Sequence, residues 1–297
     1  MQRTDILERK IKTAKDLRSI VKTMKVLAAV SISQYEDAVE SITGYFETIE
    51  QGLQIMMKNQ PNINALLKIP KNHAAIKRAV LIFGSGQPMC GTFNEILVSF
   101  IKDQWDKKYL YVPDKVVAIG PRIIPSLERI DWQVDQRFEV PSTIDGINET
   151  VQSLVVAIQQ WYSEGEFQQI FLFYNQPNEK SQYTSVSRQL LPIDTEWLQD
   201  LALQPWDSRT LPTYSMEIAP LFSSLLRQLL FVSIYKAFAE SLSAENNSRL
   251  AAMQMAEKKI DEKLNDLTQA YRNQRQVNIT EEILDITASF EVQREQQ

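Results

Sequence analysis

Few side chains in this 297-residue chain could do chemistry by themselves. There is one histidine, His73, and one cysteine, Cys90. That pair cannot supply the four nitrogen or sulfur ligands of a usual zinc site, and one cysteine cannot close an internal disulfide. Any Ser-His-Asp or Cys-His relay would have to run through His73. That residue sits in a polar connecting segment and reads as structural. One turn has the placement of a phosphate cradle. Gly84-Ser-Gly86-Gln-Pro-Met-Cys90-Gly91 follows an apolar run and precedes a helical one, as a dinucleotide-binding turn does. Its spacing is wrong: Gly-x-Gly-x-x-x-x-Gly, with Pro88 inside and no Gly-Lys-Ser/Thr after it. It reads as a tight strand-to-helix connection. Carboxylates are plentiful, but spacing sets no pair of them for acid–base work. The residue types predict no active site, no cofactor and no metal.

The elements are far more informative. From Leu7, steps of four and three give Leu7, Ile11, Ala14, Arg18, Val21, Lys25, Ala28, Ile32, Tyr35, Val39, Ile42, Phe46, Ile49, Leu53 and Met56. Only Arg18 and Lys25 interrupt the apolar stripe, and no proline precedes Pro61. A 3.5-residue period held this long predicts a helix that packs along another helix. At 1.5 Å per residue it is a rod of roughly 80 Å. A second such helix is expected from about Glu217, with Pro220 in its first turn and no later proline or glycine. Met253, Ala256, Ile260, Leu264, Leu267 and Tyr271 recur along it, although polar runs such as Glu245–Arg249 break the seam. This helix outruns the first, so one end of it should project alone.

Between the helices, Ala79–Phe83, Lys115–Gly120, Trp132–Val140 and Gln169–Tyr174 read as strands separated by helical stretches. Thr184–Leu191 reads as a fifth strand returning antiparallel. Such alternation implies a mostly parallel sheet covered on both faces. Residues 62–77 hold at most a short helix at Ile63–Lys68, and 192–216, with three prolines, read as a connection. The fold class is therefore α/β: a long antiparallel coiled coil of the two end helices plus a Rossmann-like domain. The expected division is 1–58, 59–216 and 217–297.

No stretch of 18 or more apolar residues is free of charge, so no membrane-spanning helix is expected, and the N-terminus lacks a signal-peptide core. The formal net charge of −5 argues against broad nucleic-acid binding. Residues 1–25 carry eight basic and three acidic side chains, whereas 26–57 carry five acidic and no basic ones. The positive end is either a solvated face or a surface for an acidic partner.

The second helix carries Glu240-Ser241, Glu245, Arg249-Leu-Ala-Ala252-Met253, Ala256, Leu267-Thr268, Tyr271, Arg275-Gln276, Ile279-Thr280, Glu282 and Asp285-Ile286. In order and spacing this string resembles the gamma subunit of F-type ATP synthases. Ile11, Lys15, Ile20, Lys22, Met24-Lys25 and Ala28-Ala29 are similar to that family's first helix, and Gly86–Asn94 to its turn around a cysteine. The chain departs from the usual pattern at Val30–Asp37, at Lys259 and around Ala288–Phe290. These departures resemble the divergent, alternate (N-type) bacterial form, and a single cysteine excludes the chloroplast dithiol switch. The resemblance implies a non-catalytic rotor, one copy per complex, whose helices stand inside a ring of three alpha and three beta subunits. Its α/β foot would meet epsilon and the membrane c-ring, on the cytoplasmic face of a bacterial plasma or thylakoid membrane. It also implies contact residues. Met24 and Lys25 would face an acidic loop of beta, although Met24 also flanks the seam. Arg275, Gln276 and Thr280 would meet the catch loop of the ring, and Ile283, Ile286 and Phe290 would form an apolar tip in the bearing. From the residues alone, a coiled-coil tether or a nucleotide-binding enzyme also fits.

Overall fold

The computed structural model describes residues 2–59, 76–141, 143–178, 182–206, 210 and 212–295, with the side chains of residues 2, 59 and 288–295 left out. The expected short helix at Ile63–Lys68 and His73 lie outside the described residues. The chain forms two compact units, one of residues 1–28 and 249–297, the other of residues 29–248. Two long helices, α1 (Gln2–Asn59) and α6 (Ile218–Glu295), contribute to both.

In the larger unit the strands are β1 (Arg78–Phe83), β2 (Lys115–Ile119), β3 (Gln136–Phe138), β4 (Gln169–Pro177) and β5 (Tyr183–Leu191). They form one sheet in the order β3-β2-β1-β4-β5. The first four are parallel, and β5 returns antiparallel beside β4. β1 shows why both faces must be covered. Ala79, Leu81 and Phe83 enter one core, Val80 and Ile82 the other, and none is more than 1% exposed. The first core also takes α4 (Ile144–Ser163), α5 (Thr195–Leu203) and the α1 and α6 segments of this unit. The second takes α2 (Phe93–Lys108) and α3 (Ile124–Glu128), with Trp105 edge-on to Trp132 and Phe171.

Two expectations are corrected. β3 is only three residues long, because only Gln136–Phe138 align with Val117–Ile119, while Trp132 turns into the core beside Trp105. The segment 192–216 holds the helix α5, which the prolines on either side had hidden. Asp194 caps it, its Oδ1 accepting from the Glu196 and Trp197 amides, and Leu198 and Leu201 are buried.

α6 contains a stretch long and apolar enough, by composition, to cross a membrane. One face of that stretch, including Phe222, Leu229, Leu230, Val232 and Ile234, belongs to the first core instead. Within this unit Tyr45 Oη donates to Gln228 Oε1 at 2.7 Å, so α1 and α6 run side by side.

The smaller unit pairs the start of α1 with the last part of α6. Arg18 meets Asp261 and Lys25 meets Glu257, so the helices are antiparallel. All six seam positions from Met253 to Tyr271 are buried or half-buried.

Candidate functional site

The glycine turn after β1 was the one place with the look of a ligand cradle. The Gly84 amide donates to Ile119 O at 2.8 Å, and the Ser85 amide to Asn94 Oδ1 at 3.0 Å. The next two amides, of Gly86 and Gln87, donate to the Glu245 carboxylate at 3.1 and 3.3 Å. A phosphate needs such donors free. Here a carboxylate from α6 holds two of them, so the turn is a docking joint. Space agrees: a Cβ on Gly84 would lie 2.4 Å from Ile123 Cβ. The polar run that broke the α6 seam thus has a purpose. Ser241 Oγ donates to Phe83 O at 3.4 Å, and Ser248 Oγ to Cys90 O. No group of three or more His, Cys, Asp or Glu able to hold a metal occurs among the described residues.

The two charged interruptions of the α1 stripe are members of the seam. Arg18 grips Asp261 with Nε 2.6 Å from Oδ1 and Nη2 3.2 Å from Oδ2. The Nε approach is an ion pair, off the line of a hydrogen bond. Lys25 Nζ donates to Glu257 Oε2 at 2.6 Å, and Lys22 Nζ lies 4.0 Å from Oε1. Lys25, expected to face a partner, is turned largely toward α6, with a third of its side chain exposed. The hydrogen bond from Lys25 is the main reason the Glu257 carboxyl sits below its ordinary value. The charges of Lys25, Lys22 and Arg18 add to that, and desolvation opposes it.

Met24 is half-buried beside the seam. It lies between exposed apolar residues absent from the sequence expectation: Leu17 and Ile20 before it, Leu27 after it, each about half or more exposed. Steps of three, four and three place Leu17, Ile20, Met24 and Leu27 on one face, about a quarter turn from the seam. That spacing was legible in the sequence, overshadowed by the stronger stripe beside it.

On α6, Arg275, Gln276 and Thr280 are all exposed. Gln276 and Thr280 border one shallow groove of about 370 Å³ with Asn273, Val277 and Glu281. Thr280 Oγ1 donates to Gln276 O at 2.9 Å. Arg275 lies on another face, in line with Ile279, Ile283 and Ile286. These three isoleucines and Leu284 are 46–61% exposed. Phe290 continues the helix, and its side chain lies outside the described residues. The arrangement offers contact surface and no reacting group.

The family model described as ATP synthase matches residues 3–292 of this chain. The chain belongs to the ATP synthase gamma family. The gamma chain of Mycobacterium marinum is 26% identical, over 94% of each chain. That of Nitrosomonas eutropha is 23% identical, over 94% of this chain and 96% of the relative. Among solved structures, the rotor of the Euglena gracilis mitochondrial ATP synthase matches with a TM-score of 0.59 at 11% identity, covering 94% of this chain and 99% of that one. The central stalk with c-ring of the Tetrahymena thermophila enzyme matches at 0.55 and 18% identity, covering 80% and 99%. As a gamma chain it is a central-stalk subunit of an ATP synthase, without an active site of its own. The family places its two helices and its sheet domain as parts of one stalk protein.

Proposed function

We propose that this gamma chain is the rotor of an ion-translocating F-type ATP synthase. Three alpha and three beta subunits would surround its helices, and epsilon and the c-ring would bind its α/β domain, at the cytoplasmic face of a bacterial membrane. The observation that carries this is the family match across both end helices and the domain between them. The exposed isoleucines toward the end of α6 support it, because a bearing needs apolar surface that the isolated chain leaves uncovered. Turning would present each beta subunit with a different face. Differential contact with its conformations would shift its nucleotide affinity in turn. In this reading Met24, with the remaining exposed part of Lys25, faces beta. Arg275, Gln276 and Thr280 meet the ring's catch loop, and Ile283, Ile286 and Phe290 sit in the bearing. The departures at Val30–Asp37 and Lys259 support the alternate, N-type bacterial form.

Co-expression with cognate alpha and beta subunits, followed by size exclusion and an ATPase assay, tests the reading. A complex with one copy of this chain per three alpha and three beta, and stimulated turnover, is expected. A chain that elutes alone and leaves beta activity unchanged would return it to the coiled-coil tether. Arg275→Ala with Gln276→Ala should lower ATP-driven rotation or assembly at least severalfold. Unchanged coupling in that double variant would remove both residues from the interface.

A further inference from the structure

We propose that a groove in the larger unit, formed by α1, β4 and α6, receives an arginine side chain from another subunit of the complex; this rests on the stalk reading above. The groove measures about 300 Å³, and Glu36, Val39, Glu40, Gln176, Glu240 and Ser243 line it. Glu240 is 4% exposed. Its Oε1 accepts from Gln176 Nε2 at 3.2 Å and lies 4.0 Å from Lys236 Nζ, at the limit of an ion pair. Its Oε2 has no hydrogen-bond donor among the described residues, and neither does the fully buried Ser243 Oγ have a partner. Buried polar groups are nearly always satisfied, and one left without a partner is a standing cost to the fold. Two of them side by side on one helix, lining a groove, indicate donors that arrive from outside.

The charge around them specifies the donor. Glu36 and Glu40 stand exposed at the rim, with no ion pair among the described residues. Residues 26–57 of α1 contain no lysine or arginine at all. A groove with this charge attracts a cation and repels a carboxylate. The carboxylates do not converge closely enough to hold one metal ion. A guanidinium suits them better, because its fork of five donors can serve several separated acceptors at once. Its aliphatic stem would lie along Val39 and Pro177. An ammonium, with its donors at one point, would serve fewer of these acceptors.

The test uses the full chain and its cognate subunits. Wild type, Glu240→Gln and Glu36→Gln with Glu40→Gln are each assembled into the complex at low and high salt. The rim variant should bind at least threefold more weakly at low salt, with the difference shrinking at high salt. Glu240→Gln should bind at least tenfold more weakly while the isolated chain melts no lower than wild type. Wild-type affinity for both variants would overturn the proposal. If Glu240→Gln lowers the melting temperature, the rim variant decides. In a separate titration followed by ligand-observed NMR, the isolated chain should bind N-acetyl-arginine amide ahead of the lysine and citrulline analogues. Equal response to all three would overturn the assignment. A wild-type chain that fails to assemble overturns the stalk reading, and this titration still decides the groove.

Discussion

Single side chains settle how the pieces are fastened, and two of them carry measurable consequences. Glu257 is clasped by Lys25, with Lys22 and Arg18 nearby, and its carboxyl lies below the ordinary value of 4.5. A carboxylate depressed in the fold stabilises it above the unfolded value. That contribution is lost as pH falls through the lower, folded value. Melting temperature should therefore fall on the acid side below about pH 4.5. Glu257→Gln should lower the melting temperature at neutral pH and flatten that acid limb. Glu245 does a different task, accepting two backbone amides of the β1–α2 turn while 3% exposed. Hydrogen bonds to a charged acceptor contribute about 1.5–3 kcal/mol each, so Glu245→Ala should cost on the order of 3 kcal/mol in urea unfolding. Neither role was legible beforehand. Lys25 and Glu257 are 232 residues apart, and no local pattern joins them. The sequence marked Lys25 twice, as a gap in a stripe and as a contact by resemblance. The distance of 2.6 Å to Glu257 accounts for the first mark.

Elements were legible in proportion to how fully their signal was local. β1, β2 and β4 announce themselves because strands buried on both faces are continuous apolar runs. The α1 stripe held completely: all fifteen positions are buried or half-buried, Arg18 and Lys25 included. β3 was overread because alternation marks residues able to pair, whereas pairing needs a neighbour. Only Gln136–Phe138 have one. α5 was missed because nine residues between Pro192 and Pro205 leave little room for a period to show. Its signal was Asp194, followed by Trp197, Leu198 and Leu201 at helical spacing. Removing that cap with Asp194→Ala should cost about 1 kcal/mol, measurable as a lower urea midpoint at unchanged slope.

At the scale of the whole chain, the pairing of its ends has consequences of its own. Antiparallel partners advance on one helix as they retreat on the other. From Arg18 opposite Asp261, the start of α1 falls opposite roughly residue 277. Residues 281–287 are exposed throughout, as helix without a companion. Ending the chain after Asn278 should therefore change the isolated protein's stability by less than about 0.5 kcal/mol. Coupling in the assembled complex should drop, and a large fall in melting temperature would show that this segment packs. The smaller unit is built from the first 28 and the last 49 residues of the chain, so its halves are made at opposite ends of synthesis. At 5–20 residues per second, roughly 10 to 45 s pass between the emergence of Ala28 and that of Arg249. Throughout that interval the first seam and the neighbouring face of Leu17, Ile20 and Leu27 have no α6 to meet. A ribosome making this protein holds an unmatched half of a coiled coil for most of the time it takes to translate it. Its first helix is thus a nascent-chain client for whatever shields apolar surface in the cell.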